Sequence, residues 1–182
     1  HELEVLEFEP GSTPTAELAA ARLGVEVARI AKSLLFRGKD GRYRMVVCPG
    51  DKRIPPSALK KATGTKLSMT DPEETERVTG YRPGGVCPFA LEGVEILLDR
   101  ELGNWDRVYP AAGTDSTGVP ISLEGLVRAT GGRVVRPPGD PRPGGMSSGR
   151  SSFVVPLPRR IRRHGGGDRR HGGRGRGREP GP

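Results

Sequence analysis

Apolar residues alternate with glutamates at the beginning of the chain, where Leu3, Val5 and Phe8 stand in the stretch LEVLEFEP. This period of two predicts a short strand with one solvated face. The following stretch, STPTAELAAARLGV, predicts a helix, because Thr13 or Thr15 can cap its start and its alanines favour the helical state. Gly24 follows its last turn.

A β-hairpin is predicted next. The stretch VARIAKSLLFRG predicts a short turn that runs into a strand, and YRMVVCPGD predicts the partner strand, with a buried run that ends at Pro49 and Gly50. Between the two strands, the Asp-Gly pair in KDGR is typical of a hairpin turn.

The remaining elements are short. Helices are predicted in PPSALKKATG with Ser57 at its start, in DPEETERVTG with Asp71 as N-cap, and in LEGLVRATGG with Ser122 as cap. Strands are predicted in TKLSMT, in VEILLDREL with its end at Asp99, in WDRVYPAAG and in VPIS, with TDSTG as a turn. Short helices mixed with about seven short strands predict an α/β domain built on one mixed sheet.

The composition changes near residue 136. Residues 1–136 carry 19 basic and 19 acidic side chains, whereas residues 137–182 carry 11 arginines and 3 acidic side chains. In the second range 20 of 46 residues are Gly or Pro, so it cannot bury enough apolar surface to become ordered. We therefore expect one compact domain over residues 1–136 and a disordered basic tail over residues 137–182.

This charge distribution bears on possible partners. The neutral domain does not have the composition of a basic nucleic-acid-binding domain. The tail resembles Arg/Gly-rich segments that contact RNA phosphates, or it is only a solvated extension. No stretch approaches the roughly 20 apolar residues of a transmembrane helix, and the acidic start does not resemble a signal peptide. We expect a cytoplasmic protein with reduced thiols and no membrane partner.

Several kinds of catalytic site lack support. The histidines all lie in terminal segments, at His1, His164 and His171, which disfavours Ser-His-Asp and Cys-His catalysis. Cys48 and Cys87 form no CxxC pair, so a zinc ribbon or thioredoxin-type site is not indicated. HExxH, Walker A and GxGxxG patterns are also absent. We expect neither a metal nor a cofactor.

Three features of the domain could still carry chemistry, and each has a structural alternative. Lys32 stands between apolar residues, either as a cation at the rim of a pocket or as an edge lysine whose stem packs on the surface. The stretch GGVCPFAL is either an ordinary turn or a loop whose backbone N–H groups face a ligand. The stretch AAGTDSTG adds small residues and Asp115.

Taken in order, these stretches resemble one family. TAELAAARLGVEVARIAKSLLF, VVCPGDKRI, LSMTDPEETERVTGYRPGGVCPFAL, VEILLDREL and VYPAAGTDSTGVPISLEGLVRATGG are similar to the YbaK/ProX aminoacyl-tRNA deacylases, over about residues 13–133. That family is related to the editing domain inserted in bacterial prolyl-tRNA synthetases. The resemblance implies a single compact domain with a mixed, barrel-like sheet flanked by short helices.

The resemblance also implies an activity and a site. The expected activity is hydrolysis of the ester bond of mischarged tRNA by a free-standing enzyme, with a synthetase as a further expected partner. Lys32 matches the functional lysine of the family, and the matching loop shapes the pocket. The expected substrate-binding residues are Gly84, Gly85, Val86, Cys87, Pro88, Phe89, Gly113 and Asp115.

Two positions depart from the family pattern, and one alternative function stays open. Ala90 stands where the family often has glycine, and Cys87 occupies a variable position of the loop. The alternative is a non-catalytic module that binds an amino acid or a nucleotide in the same pocket.

Overall fold

The computed structural model describes residues 5–11, 13 and 15–136, and the tail predicted over residues 137–182 lies outside the described residues. The α-helices are α1 (Ala16–Leu23), α2 (Pro56–Thr63), α3 (Pro72–Thr79) and α4 (Leu123–Thr130). The strands are β1 (Leu6–Glu7), β2 (Ile30–Gly38), β3 (Tyr43–Pro49), β4 (Leu67–Met69), β5 (Val94–Asp99), β6 (Tyr109–Pro110), β7 (Thr117–Gly118) and β8 (Arg133–Val135). Short 3-10 helices lie at Val27–Arg29 and Arg100–Asn104.

The main sheet is mixed, as predicted. Its order is β4-β2-β3-β5-β8, and β6 pairs with the beginning of β2. The β2–β3 hairpin is antiparallel, with Lys32 opposite Cys48, whereas β3, β5 and β8 run parallel to one another. Strands β1 and β7 form a separate two-stranded ribbon.

The expectation of a barrel-like sheet is wrong, because the sheet is open. Closure requires every strand to have two neighbours. Within the described residues, β8 pairs only with β5, and the opposite edge is divided between β4 and β6. These edge strands contain three, two and three residues, too few to join the two edges of the sheet.

Both faces of the sheet are buried, and β2 contributes to each. Ala31 and Leu35 lie in one apolar cluster together with Val86, Val108 and residues of β3 and β5. Phe36 lies in the other cluster, under α2. This alternation follows from the period of two in a strand, and it places neighbouring β2 residues on opposite faces.

The helix boundaries follow their capping residues. Thr15, Asp71 and Ser122 accept hydrogen bonds from the first turns of α1, α3 and α4, which confirms the last two predicted caps. Ser57, in contrast, lies inside the first turn of α2, because Pro55 occupies the cap position and Pro56 begins the helix. None of the helices in residues 5–136 that the structure describes is long and apolar enough to cross a membrane.

The region after β5 differs most from expectation. Only Tyr109–Pro110 of WDRVYPAAG forms a strand, and VPIS contributes one bridge, between Ile121 and Val108. Strand β7 lies instead inside the predicted TDSTG turn. Proline lacks the N–H that a continuous ladder needs, so Pro110 limits pairing here.

Candidate functional site

The central part of one edge of β2 has no neighbouring strand among the described residues. Strand β6 pairs with Ile30 and Ala31, and β4 pairs with residues from Phe36 onward. Between them, no described strand lies beside residues 32–34 on this side. The carbonyl of Leu35 points to this edge, since it accepts hydrogen bonds from Thr70. Backbone groups alternate in direction along a strand, so the N–H and C=O of Ser33 face the same gap.

A cavity of about 300 Å³ lies against this open edge. We call it the first cavity. Helix α1 and the preceding threonines line one side, the open part of β2 forms the wall, and two loops line the other side. Its lining residues are Phe8, Thr13, Thr15, Ala16, Ala19, Leu23, Ile30, Ala31, Lys32, Ser33, Leu34, Gly84, Val86, Tyr109, Ala111, Thr117 and Gly118.

The N-terminal segment, residues 5–11 and Thr13, is bound to the turn at residues 113–118. The N–H and the hydroxyl of Thr13 both donate to the carbonyl of Asp115. The N–H of Phe8 donates to the carbonyl of Ser116 at 2.7 Å. Phe8 and Thr13 line the first cavity, so these hydrogen bonds hold two of its walls together.

Lys32 is half-buried, and its ammonium group contacts a backbone carbonyl. Its Nζ donates to the carbonyl of Gly50 at 3.1 Å. A side chain at Gly50 would place its Cβ 2.5 Å from the carbonyl oxygen of Val27 and 2.9 Å from the Cβ of Ala16, so only glycine fits there. This close packing fixes the carbonyl that Lys32 contacts.

A carboxylate also acts on Lys32. The pKa of Glu17 is lowered, chiefly by its own backbone N–H and by Thr15, with the Lys32 charge as a smaller cause. Lys32 thus has both a hydrogen-bond acceptor and a nearby negative charge.

The glycine-rich loop contributes to the cavity through two residues. Gly84 and Val86 line the first cavity. Gly85 instead packs against the turn, where an added Cβ would lie 2.7 Å from the carbonyl carbon of Thr114. The N–H of Gly85 donates to the carbonyl of Arg82 at 3.0 Å, so it is not available to a ligand in this structure.

The other residues expected in the site lie behind its walls. Cys87 and Pro88 are buried, and Phe89 packs against the apolar cluster of the central sheet. Gly113 adopts a φ of +105° beside the ring of Tyr81. Asp115 acts through its backbone carbonyl, which accepts from the N-terminal segment.

Ala90, which departs from the family pattern, has an unusual conformation. It has a φ of 55°, in the left-handed region that glycine adopts at low cost. Alanine at this position therefore strains the end of the loop and restricts its conformations.

Neither cysteine has the properties of a nucleophile. Burial raises the pKa of Cys87, although hydrogen bonds from Phe89 and Tyr81 partly oppose the change. Burial also raises the pKa of Cys48, to about 12. Both thiols are thus protonated at neutral pH, whereas the reactive form of cysteine is the thiolate.

A second cavity, of about 450 Å³, adjoins the first. Lys32 and Leu34 line both cavities. The second cavity is further lined by Lys52, Arg53, Ile54, Pro55 and Met69. Lys32 therefore stands at the junction of two adjacent spaces.

The sequence did not indicate most of the first cavity. Lys32, Gly84 and Val86 were expected in the site, whereas Phe8, Ser33 and the other wall residues were not. One available signal was the pair of threonines before α1, which sequence reasoning used only as possible helix caps. No sequence pattern indicated that the middle of β2 would lack a neighbouring strand.

Comparison with known proteins gives consistent results. A family model described as an aminoacyl-tRNA editing domain matches residues 10–129. The uncharacterised protein YwhH of Bacillus subtilis is 38% identical over 126 residues, which cover 69% of this chain and 80% of YwhH. A candidate Cys-tRNA(Pro)/Cys-tRNA(Cys) deacylase of Enterococcus faecalis, EbsC, is 28% identical over 121 residues, which cover 65% of this chain and 74% of EbsC.

A solved structure shares the fold. It is described as a candidate trans-editing enzyme for prolyl-tRNA synthetase, and it has a TM-score of 0.68 with 32% sequence identity. The similarity covers 74% of this chain and 85% of that chain.

Proposed function

Because the chain belongs to the aminoacyl-tRNA editing domain family, we propose that it is a deacylase that hydrolyses the ester bond of mischarged tRNA in trans. Action in trans is supported by the similarity to a candidate trans-editing enzyme, most of whose length this chain covers. The location of Lys32 at the junction of the two cavities is the observation that carries the proposal.

The geometry supports a division of the substrate between the two cavities. The first cavity is bounded mainly by apolar and small side chains, which suits the side chain of an amino acid. An ester at the junction would lie beside the ammonium group of Lys32. The negative charge that develops on the carbonyl oxygen during attack would be stabilised there, and a preorganised donor commonly contributes about 3 kcal/mol.

Backbone groups can assist Lys32. The N–H groups of Gly84 and Val86 belong to the loop residues that line the first cavity, and the N–H of Ser33 faces the open strand edge. In the proposed reaction, a water oxygen attacks the carbonyl carbon and the bond to the ribose oxygen breaks. The proton that the attacking water loses passes to the leaving ribose oxygen, and the neighbouring ribose hydroxyl helps to position the water. The protein orients these groups, so the mechanism needs no histidine.

A panel of mischarged tRNAs tests this function. The wild type should hydrolyse at least one of them faster than its spontaneous rate. Lys32→Ala should reduce kcat/KM about 100-fold, the typical effect of removing one transition-state donor. The matched control is Lys61→Ala, since Lys61 is an exposed lysine of α2 outside both cavities. Unfolding curves of each variant separate loss of chemistry from loss of fold.

Two outcomes would contradict the proposal. If wild type accelerates no ester, the alternative of a non-catalytic module that binds an amino acid or a nucleotide is favoured. If Lys32→Ala is as active as Lys61→Ala, the proposed role of Lys32 at the ester carbonyl is contradicted, even where the wild type hydrolyses mischarged tRNA.

A further inference from the structure

The second cavity has an unbalanced positive charge. Lys52 does not contribute to it, because its ammonium group is buried and pairs with Asp99 at 2.9 Å and Glu101 at 2.8 Å. Arg53, in contrast, is exposed and has no ion-pair or hydrogen-bond partner among the residues that the structure describes. Among the residues that the structure describes, no carboxylate lines this cavity. Its open face therefore presents Arg53 and Lys32 to any ligand.

The rest of the second cavity is apolar. Leu34, Ile54 and Pro55 form part of its wall, and Met69 at the edge strand β4 leaves 54% of its surface exposed. An apolar wall with an exposed methionine beside an unpaired guanidinium group can receive the flat face of a base together with a phosphate. The volume of about 450 Å³ falls within the ordinary range of ligand-binding cavities.

We propose that the second cavity is the subsite for the terminal nucleotide of the tRNA, and that Arg53 binds the phosphate on its 5′ side. The proposal rests on the proposed function, since it places the ester at Lys32. With the amino acid in the first cavity, the nucleotide must leave the junction on the opposite side, where the second cavity lies. Arg53 thereby takes the phosphate and leaves Lys32 for the ester carbonyl.

Binding of an uncharged oligonucleotide tests the subsite separately from hydrolysis. The probe is a single-stranded CCA ribonucleotide, and the measurement is its affinity at several salt concentrations. Arg53→Ala should weaken binding about tenfold, as expected for the loss of one charge-assisted contact. It should also reduce the slope of log affinity against log salt by about 0.7, the value for one phosphate of a single strand.

Two further variants sharpen the test. Arg53→Lys retains the charge, so most of the salt dependence should return even though bidentate contact is lost. Arg128→Ala is the control, because Arg128 is an exposed arginine of α4 that lines neither cavity. A loss of affinity in Arg128→Ala as large as in Arg53→Ala would indicate non-specific charge attraction and would overturn the proposal.

A pair of small substrates locates the contact. Aminoacyl-adenosine esters with and without a 5′-phosphate should be compared as a ratio of kcat/KM. In Arg53→Ala this ratio should fall about tenfold relative to wild type. An unchanged ratio, or an unchanged affinity for the oligonucleotide, would overturn the subsite. If no ester is hydrolysed but oligonucleotide binding depends on Arg53, the subsite stands and the deacylase function falls.

Discussion

Replacing Gly85 by alanine tests how the glycine-rich loop is packed. The added Cβ would lie 2.7 Å from the carbonyl carbon of Thr114 and 2.8 Å from its Cα. Both atoms belong to the backbone, so no side-chain rotation can relieve the contact. The loop and the turn at residues 113–118 would have to separate, and the turn carries the carbonyl that binds Thr13.

The expected cost follows from this contact. Overpacking of a buried position typically destabilises a protein by about 1–3 kcal/mol. Because the added Cβ of Gly85→Ala would contact fixed backbone, we expect a cost near the middle of this range, about 2 kcal/mol. The free energy of unfolding should be measured by urea denaturation, with the slope of the transition unchanged. Deacylation should also decrease, because a displaced turn changes the position of the N-terminal segment over the first cavity.

Gly93→Ala is the matched control for conformational strain. Gly93 has a φ of +70°, and no atom of the described residues lies within 4 Å of an added Cβ, so its substitution costs only left-handed strain, about 1 kcal/mol. Gly85 has no such φ, and its cost should come from contact alone. If Gly85→Ala is no more destabilising than Gly93→Ala, the close packing of loop and turn is refuted.

Two other predictions concern stability. Thr13→Val keeps the shape and the backbone hydrogen bond but removes the hydroxyl that donates to Asp115, so it should lower the free energy of unfolding by about 1 kcal/mol in urea; an unchanged value would contradict this role. The hydrogen bond from Arg44 lowers the pKa of Asp40 from 3.8 to about 2. A lowered native pKa stabilises the fold above pH 3.8, and this contribution is lost as pH falls through about 2. We expect stability to decline over this interval and to decline less in Asp40→Asn; equal declines would contradict the coupling.

The sequence by itself determined the elements whose signals are local. Asp71 and Ser122 cap their helices, and β5 ends at Asp99, as predicted. Capping hydrogen bonds span only about three residues, and strand alternation reflects burial of one face, so both leave a pattern in neighbouring positions. The resemblance to the editing family also came from the sequence, and the family match confirms it.

The tertiary structure decided the shape of the site. Thr13 meets Asp115 across a separation of 102 residues, and Lys32 meets Gly50 only because the hairpin brings the two together. The gap in the edge of β2 depends on where two short strands dock, and neither strand specifies its partner. Such contacts depend on the packing of distant segments, and no local pattern of residues encodes them. The family resemblance carried by the sequence therefore named Lys32 as a candidate, whereas the cavity walls and the unpaired Arg53 became apparent only in the folded chain.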